Sequence, residues 1–214
     1  KVHPVGVGTI TIPLYSSVVL PNTIVEHIRY VIKMMNVVLE KIVPGLTIGM
    51  EELSSELTDD GEVGKKITLV SYKSKTAIPL RNESEGIRKI ISIMSLLIAV
   101  YNTRTIVVAI DELDSGIFEY LLGELLTILS NRGKGQLIFT SHNLRPLETL
   151  HKSCIVVTTT DPKKRYVRLT HVKTMNNVRD FYYRDIILGE QPLDVYQRTD
   201  NEKIAFALRE AGGE

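Results

Sequence analysis

The stretch TIVVAIDELDSG, residues 105–116, sets an unbroken apolar run against two carboxylates, Asp111 and Glu112, that close it abruptly. A run with no polar alternation predicts a strand buried on both faces, as the central strands of parallel sheets are. Just upstream, Ile87, Ile90, Ile91, Met94, Leu97, Ile98 and Tyr101 recur at helical spacing. Downstream, Phe118, Leu121, Leu122, Leu125 and Leu129 give a second helical pattern, and QLIFT at 136–140 gives a second apolar strand that ends at Ser141 and His142. Helix, strand, helix, strand with short connections predicts an α/β fold, a mostly parallel sheet flanked by helices.

Further out the pattern changes. Residues 9–20 are rich in β-branched side chains and read as a strand broken by Pro13. Ile24, Ile28, Val31, Met35, Val38 and Ile42 predict a long amphipathic core helix over 23–42, stopped by Pro44 and Gly45. TIGMEEL and KITLVSYK read as two surface strands joined by a polar segment whose Asp60 and Gly61 suit a hairpin turn. Beyond the core, CIVVTTT and RYVRLTHV are strands separated by DPKKR, and helical patterns follow over 176–187 and at Ile204, Ala207, Leu208 and Ala211. Three regions result: 1–80 with strand, long helix and hairpin; 81–175 as the core lobe; and 176–214 as a helical appendage.

Composition limits the functional classes. The 214 residues carry 26 basic and 25 acidic side chains, so the net charge of +1 gives no global attraction to nucleic acid or membrane. A partner of that kind would have to use a local patch such as KKRYVR at 163–168 or RDFYYRD at 179–185, and with so balanced a charge a solvated hairpin face is the better account. The single cysteine, Cys154, rules out a disulfide framework; within CIVV it is expected to be a buried, inert thiol, consistent with a cytoplasmic setting. No apolar stretch is long enough to span a bilayer.

Chemistry concentrates at the ends of the two apolar strands. Ligands of open α/β sheets bind at the carboxyl edge, where Asp111 is placed to hold Mg²⁺ directly or through water and Glu112 to orient and deprotonate a water attacking a γ-phosphate. Two acids at a strand end also suit plain solvation. Ser84, Glu85 and Gly86 open the helix before that strand, where a hydroxyl and free backbone N–H groups can face an anion; Ser84 suits an ordinary helix cap as well. His142, at the end of the second strand, can contact a phosphate oxygen.

The order SEG, VVAIDE, LDSG, FTSHN resembles the ABC-type ATPase heads of the SMC, RecF and overcoming-lysogenization-defect kind, over about residues 80–160. That resemblance implies the C-terminal lobe of a P-loop NTPase that uses ATP and Mg²⁺. By it, Ser84 and Gly86 would meet the γ-phosphate bound by a second protomer, Asp111 would serve the metal, Glu112 would be the general base and His142 the switch. Residues Leu113 to Gly116 would form the D-loop. Glu85 departs from the glycine often found between the signature Ser and Gly. The resemblance further implies a homodimer closed through the nucleotide, a role in DNA maintenance or anti-phage defence, and DNA or an effector such as a nuclease as partners.

One part of such a site is absent from the sequence, since no G-x-x-x-x-G-K-[ST] occurs in it. DGEVGKKIT at 60–68 fails because Asp59 stands where the first glycine is needed and no hydroxyl follows the lysines, and RGKGQ at 132–136 fails likewise. Both read as turns. The expectation is therefore the C-terminal half of a head whose phosphate-gripping loop lies upstream, with little ATP affinity of its own. A non-hydrolysing scaffold of the same fold and a metal-dependent nuclease are the rival readings.

Overall fold

The computed structural model describes residues 12–73, 76–168, 178–180, 182 and 199–212. The chain forms two compact units, one ending at His142 and the other beginning at Asn143.

In the first unit, β1 (Val18–Pro21) leads directly into α1 (Asn22–Ile42). The strand expected over 9–20 thus begins only at Val18; residues 14–16 bend away just after Pro13, and residues 1–11 lie outside the described set. β2 (Leu46–Leu57) and β3 (Val63–Lys73) form a long antiparallel hairpin whose turn contains Gly61 at φ +79°, the left-handed backbone that glycine adopts without strain. The hairpin exceeds the expected strands because polar residues stay in register: Lys65 reaches Glu52 at 2.7 Å and Lys66 reaches Glu56 at 3.2 Å. It also fixes DGEVGKK as a turn and a strand start. β1 pairs with the other side of β3, and β4 (Thr76–Pro79), which the sequence did not announce, extends the pairing.

Helix α1 lies on this sheet as its spacing predicts, burying Val25 and Ile28 against Ile67, with Val18, Leu20 and Met50 around them. Leu39, Leu46 and Val70 are also at most 1% exposed. One polar contact secures the helix to an edge strand. The Asn36 amide donates to the Ile48 carbonyl and accepts from the Ile48 N–H, both at 2.8 Å, which satisfies backbone groups that face away from β3. Asn36→Leu should therefore leave both groups without protein partners and lower unfolding stability by about 1–3 kcal/mol in chemical denaturation. An unchanged midpoint would show that solvent replaces the amide.

A 3-10 turn at Leu80–Asn82 leads to α2 (Glu85–Asn102), which buries Ile90, Ile91, Ile93, Met94, Leu97 and Val100. β5 (Val107–Ile110) and β6 (Gln136–Phe139), separated by α3 (Glu119–Arg132), pair in parallel, as the crossover pattern requires. Among the described residues the parallel pairing is confined to these two strands; the other ladders are antiparallel. The expectation of two-faced burial does not hold for β5. Val107 is 61% and Ile138 is 53% exposed, so one face of the pair is open while Val108, Ile110, Leu137 and Phe139 are partly covered. A continuous apolar run records what a strand can bury, and within these residues nothing lies over that second face.

In the second unit, α4 (Arg145–Thr149) is followed by a 3-10 turn at Lys152–Cys154 and an antiparallel ribbon of β7 (Val156–Thr158) and β8 (Tyr166–Arg168). Ile155 and Val157 point inward onto Leu147, Val178 and Tyr182, which turns Cys154 and Val156 outward. Cys154 is consequently an exposed free thiol, not the buried one expected, because it closes a 3-10 turn ahead of the strand instead of lying within it. Tyr166 is 73% exposed, in keeping with a solvated hairpin face. α5 (Asn201–Ala211) is capped by the Asp200 carboxylate and ends at Gly212, whereas most of the helix expected over 176–187 lies outside the described residues. No described helix is long and apolar enough to cross a membrane.

Candidate functional site

The register of the parallel pair builds the site. Ile110 lies opposite Phe139, so the next residues, Asp111 and Thr140, meet at the carboxyl ends of β5 and β6. The Thr140 N–H donates to the Ile110 carbonyl at 3.2 Å, and the Leu113 N–H donates to the Thr140 carbonyl at 3.0 Å. Between them Glu112 takes φ 46°, the one non-glycine residue with positive φ among those described. Its N–H donates to the Thr140 hydroxyl at 2.8 Å, and that hydroxyl donates to the Asp111 carboxylate.

The loop beyond Glu112 brings in the histidine. Asp114 accepts the His142 N–H at 3.2 and 3.4 Å through its two carboxylate oxygens, and His142 Nε2 lies 3.8 Å from Glu112 Oε1. The His142 and Glu112 side chains are 87% and 59% exposed. A pair so open to water adds little to stability, so the fold does not depend on it and both side chains face solvent. Asp111, Glu112 and His142 are thus brought together.

Ser84 and Gly86 do not join that cluster directly. The Ser84 hydroxyl accepts the Ile87 N–H at 3.4 Å and caps α2. Gly86 abuts the loop after Glu112 so closely that a Cβ there would stand 2.2 Å from the Gly116 carbonyl oxygen, and Gly116 itself holds φ +70°. The opening of α2 and the loop Leu113 to Gly116 are therefore in backbone contact, and one turn further on Lys89 Nζ lies 3.4 Å from the Asp111 carbonyl. Behind Ser84, Glu83 is 6% exposed and accepts from the Ser71 hydroxyl at 2.5 Å and from Lys73 Nζ at 2.8 Å. Burial pushes the Glu83 carboxyl upward, but hydrogen bonds from Lys73 and Ser71 outweigh it and hold the group below the ordinary carboxylate range. Arg88 completes this anchor by donating to the carbonyls of Arg81 and Glu83 and lying 5.0 Å from the Tyr15 ring centroid.

The sequence reading did not single out Thr140, Asp114 or Lys89. The signal for Thr140 was the strand register, which places it beside Asp111 once the two strands are paired in parallel. Among the described residues no group of three or more His, Cys, Asp or Glu could hold a metal ion by itself. Mg²⁺ typically binds through one or two carboxylates plus substrate phosphates, and Asp111 with Glu112 fits that mode.

The family described as "AAA domain, putative AbiEii toxin, Type IV TA system" matches residues 25–147. The chain belongs to this AAA-domain family. Solved SMC heads share its fold. A chain from the work titled "Structural biochemistry of ATP-driven dimerization and DNA stimulated activation of SMC ATPases" aligns at TM-score 0.52 and 12% identity, covering 79% of this chain and 98% of that one. The Smc head domain with a coiled coil and joint from Pyrococcus yayanosii aligns at TM-score 0.54 and 13% identity, covering 76% of this chain and 30% of that one. Identities so low speak for the fold alone. No curated protein matches the AAA-domain chain. Its family is thus that of an AAA domain, and its α/β fold is one it shares with solved SMC heads.

Proposed function

We propose that this AAA-domain chain supplies the carboxylate and signature side of an ATP-hydrolysing head that closes as a homodimer around nucleotide. The observation that carries the reading is the convergence of Asp111, Glu112 and His142 at the carboxyl edge of β5 and β6. Asp111 would hold Mg²⁺, which when bound supplies charge neutralisation across the phosphates. Glu112 would accept the proton of the attacking water, and His142, 3.8 Å from it, would contact the phosphate oxygen whose loss signals turnover. Ser84 and Gly86 would face a nucleotide held by the second copy. Because Gly86 touches the loop that follows Glu112, closure on one nucleotide would be felt at the other. ATP would then act as a removable interfacial ligand.

On this reading the triphosphate-gripping loop would be supplied in addition to these 214 residues, whose sequence contains no such motif. ATP-driven dimerization and stimulation by DNA, named for the SMC ATPases that share the fold, and the toxin named in the family's description, favour a process in DNA maintenance or defence against phage. In the complete protein, ATP turnover should require Mg²⁺, and Asp111→Asn should reduce it by about 10²-fold, the scale on which metal-supporting carboxylates act. Turnover that persists unchanged in the variant would remove Asp111 from the site.

A further inference from the structure

We propose that Thr140 is a positioning residue for the two carboxylates, bending the chain between Asp111 and Glu112 so that neighbouring side chains can serve one ligand. The proposal rests on the reading of Asp111 as metal-holding and Glu112 as water-activating.

Consecutive residues of a strand point to opposite faces. If β5 simply continued through Asp111 and Glu112, one carboxylate would face the ligand and the other would face away. The chain avoids this by turning at Glu112 into the left-handed region, φ 46°, a conformation that a glutamate seldom takes. Such a residue persists only where its surroundings over-determine it, and here Thr140 supplies the contacts on either side of the bend. Thr140 is hydrogen-bonded to four consecutive residues: Ile110 through its N–H at 3.2 Å, Asp111 and Glu112 through its hydroxyl, and Leu113 through its carbonyl at 3.0 Å.

The hydroxyl is the part no other group replaces. It takes the Glu112 N–H at 2.8 Å, the donor that the bend removes from any ladder, and it donates to Asp111 Oδ1. The Asp111 carboxylate and the Glu112 backbone are therefore referenced to a single oxygen. The donated hydrogen bond fixes the plane of the Asp111 carboxylate and leaves Oδ2 as the oxygen available to a cation or its water. Threonine suits the task better than serine because its branched Cβ restricts χ1. Thr140 is itself exposed, so water can reach a Glu112 N–H deprived of the hydroxyl, and the consequence falls on geometry and not on folding.

Two readouts in the complete protein test this: steady-state ATP turnover with Mg²⁺, and hydrogen exchange at the Glu112 amide. Thr140→Val keeps the shape and deletes the hydroxyl; it should lower kcat about 10- to 100-fold with KM for ATP changed less than about threefold. It should also speed exchange at Glu112 about tenfold or more while amides in α2 keep their rates. Thr140→Ser should stay within about threefold of the parent in both. Should the valine variant fail to fold, Thr140→Ala deletes the same hydroxyl without a branched apolar group. Parental turnover in a hydroxyl-free variant, or a serine variant as impaired as valine, would overturn the proposal. If the parent hydrolyses no ATP, the reading of the site falls instead; Thr140 is then judged on exchange alone, and unchanged protection of Glu112 overturns it.

Discussion

Glu112→Gln should abolish ATP turnover in the complete protein, by about 10²–10⁴-fold, while ATP binding and the ATP-held dimer survive. The substitution swaps a proton acceptor for an amide of the same shape. Nothing that holds the loop depends on the lost charge: the Glu112 N–H still reaches the Thr140 hydroxyl, and the φ 46° bend belongs to the backbone. The side chain is 59% exposed and its contact with His142 is open to water, so stability should move by less than about 0.5 kcal/mol. The two halves of this outcome discriminate the readings. Lost hydrolysis with a dimer that accumulates on ATP places the base at Glu112 and the nucleotide between the copies. Dimerisation that ignores ATP in both parent and variant describes a scaffold. Hydrolysis that continues in the variant assigns the base elsewhere, and size-exclusion chromatography beside a phosphate-release assay distinguishes all three.

Several of these features were legible before any coordinates. The helices α1 and α2 follow from spacing alone, since each needs only one apolar stripe to be recognised. The strand β5 and the two acids at its end follow from the break between an apolar run and charge. What stayed hidden depended on neighbours that no local pattern encodes. Burial of Val107 is decided by what covers the sheet, and here one face is bare. The polar ends of β2 and β3 read as loop, because their stability comes from cross-strand pairs such as Lys65 with Glu52, which exist only once the hairpin is in register. Glu83 read as part of a polar connection, yet it is buried; its partners Ser71 and Lys73 lie on a strand ten and more residues earlier. Thr140 is the clearest case. As one letter of FTSHN it is an ordinary strand residue, and its hold on Asp111 and Glu112 appears only when β6 is set parallel to β5.

Gly86→Ala should be the most damaging small substitution at the signature. A methyl group at Gly86 would stand 2.2 Å from the carbonyl oxygen of Gly116, well inside contact distance. Two effects compete. In a helix alanine is favoured over glycine by about 1 kcal/mol, which would stabilise α2 if the loop could yield. The clashing atom, however, is backbone and not the tip of a flexible side chain, and Gly116 is already committed to φ +70°. Its loop is also anchored just before it, by the Leu113 N–H on the Thr140 carbonyl and by the Asp114 carboxylate on the His142 N–H. Overpacking of about 1–3 kcal/mol should therefore win over the helix gain, and the relaxation should push the opening of α2 away from the loop that carries Glu112. ATP-dependent dimerisation, which needs Ser84 and Gly86 presented together, should weaken at least about tenfold, equivalent to about 1.4 kcal/mol. Ser84→Ala separates this from simple loss of the cap: it removes a hydroxyl worth about 0.5–2 kcal/mol to the helix and leaves the Gly86 contact with Gly116 intact. A Gly86→Ala protein that melts at or above the parental temperature and dimerises normally with ATP would mean that the loop gives way freely, and the coupling between signature and carboxylates would have to run through Lys89 and the Asp111 carbonyl instead.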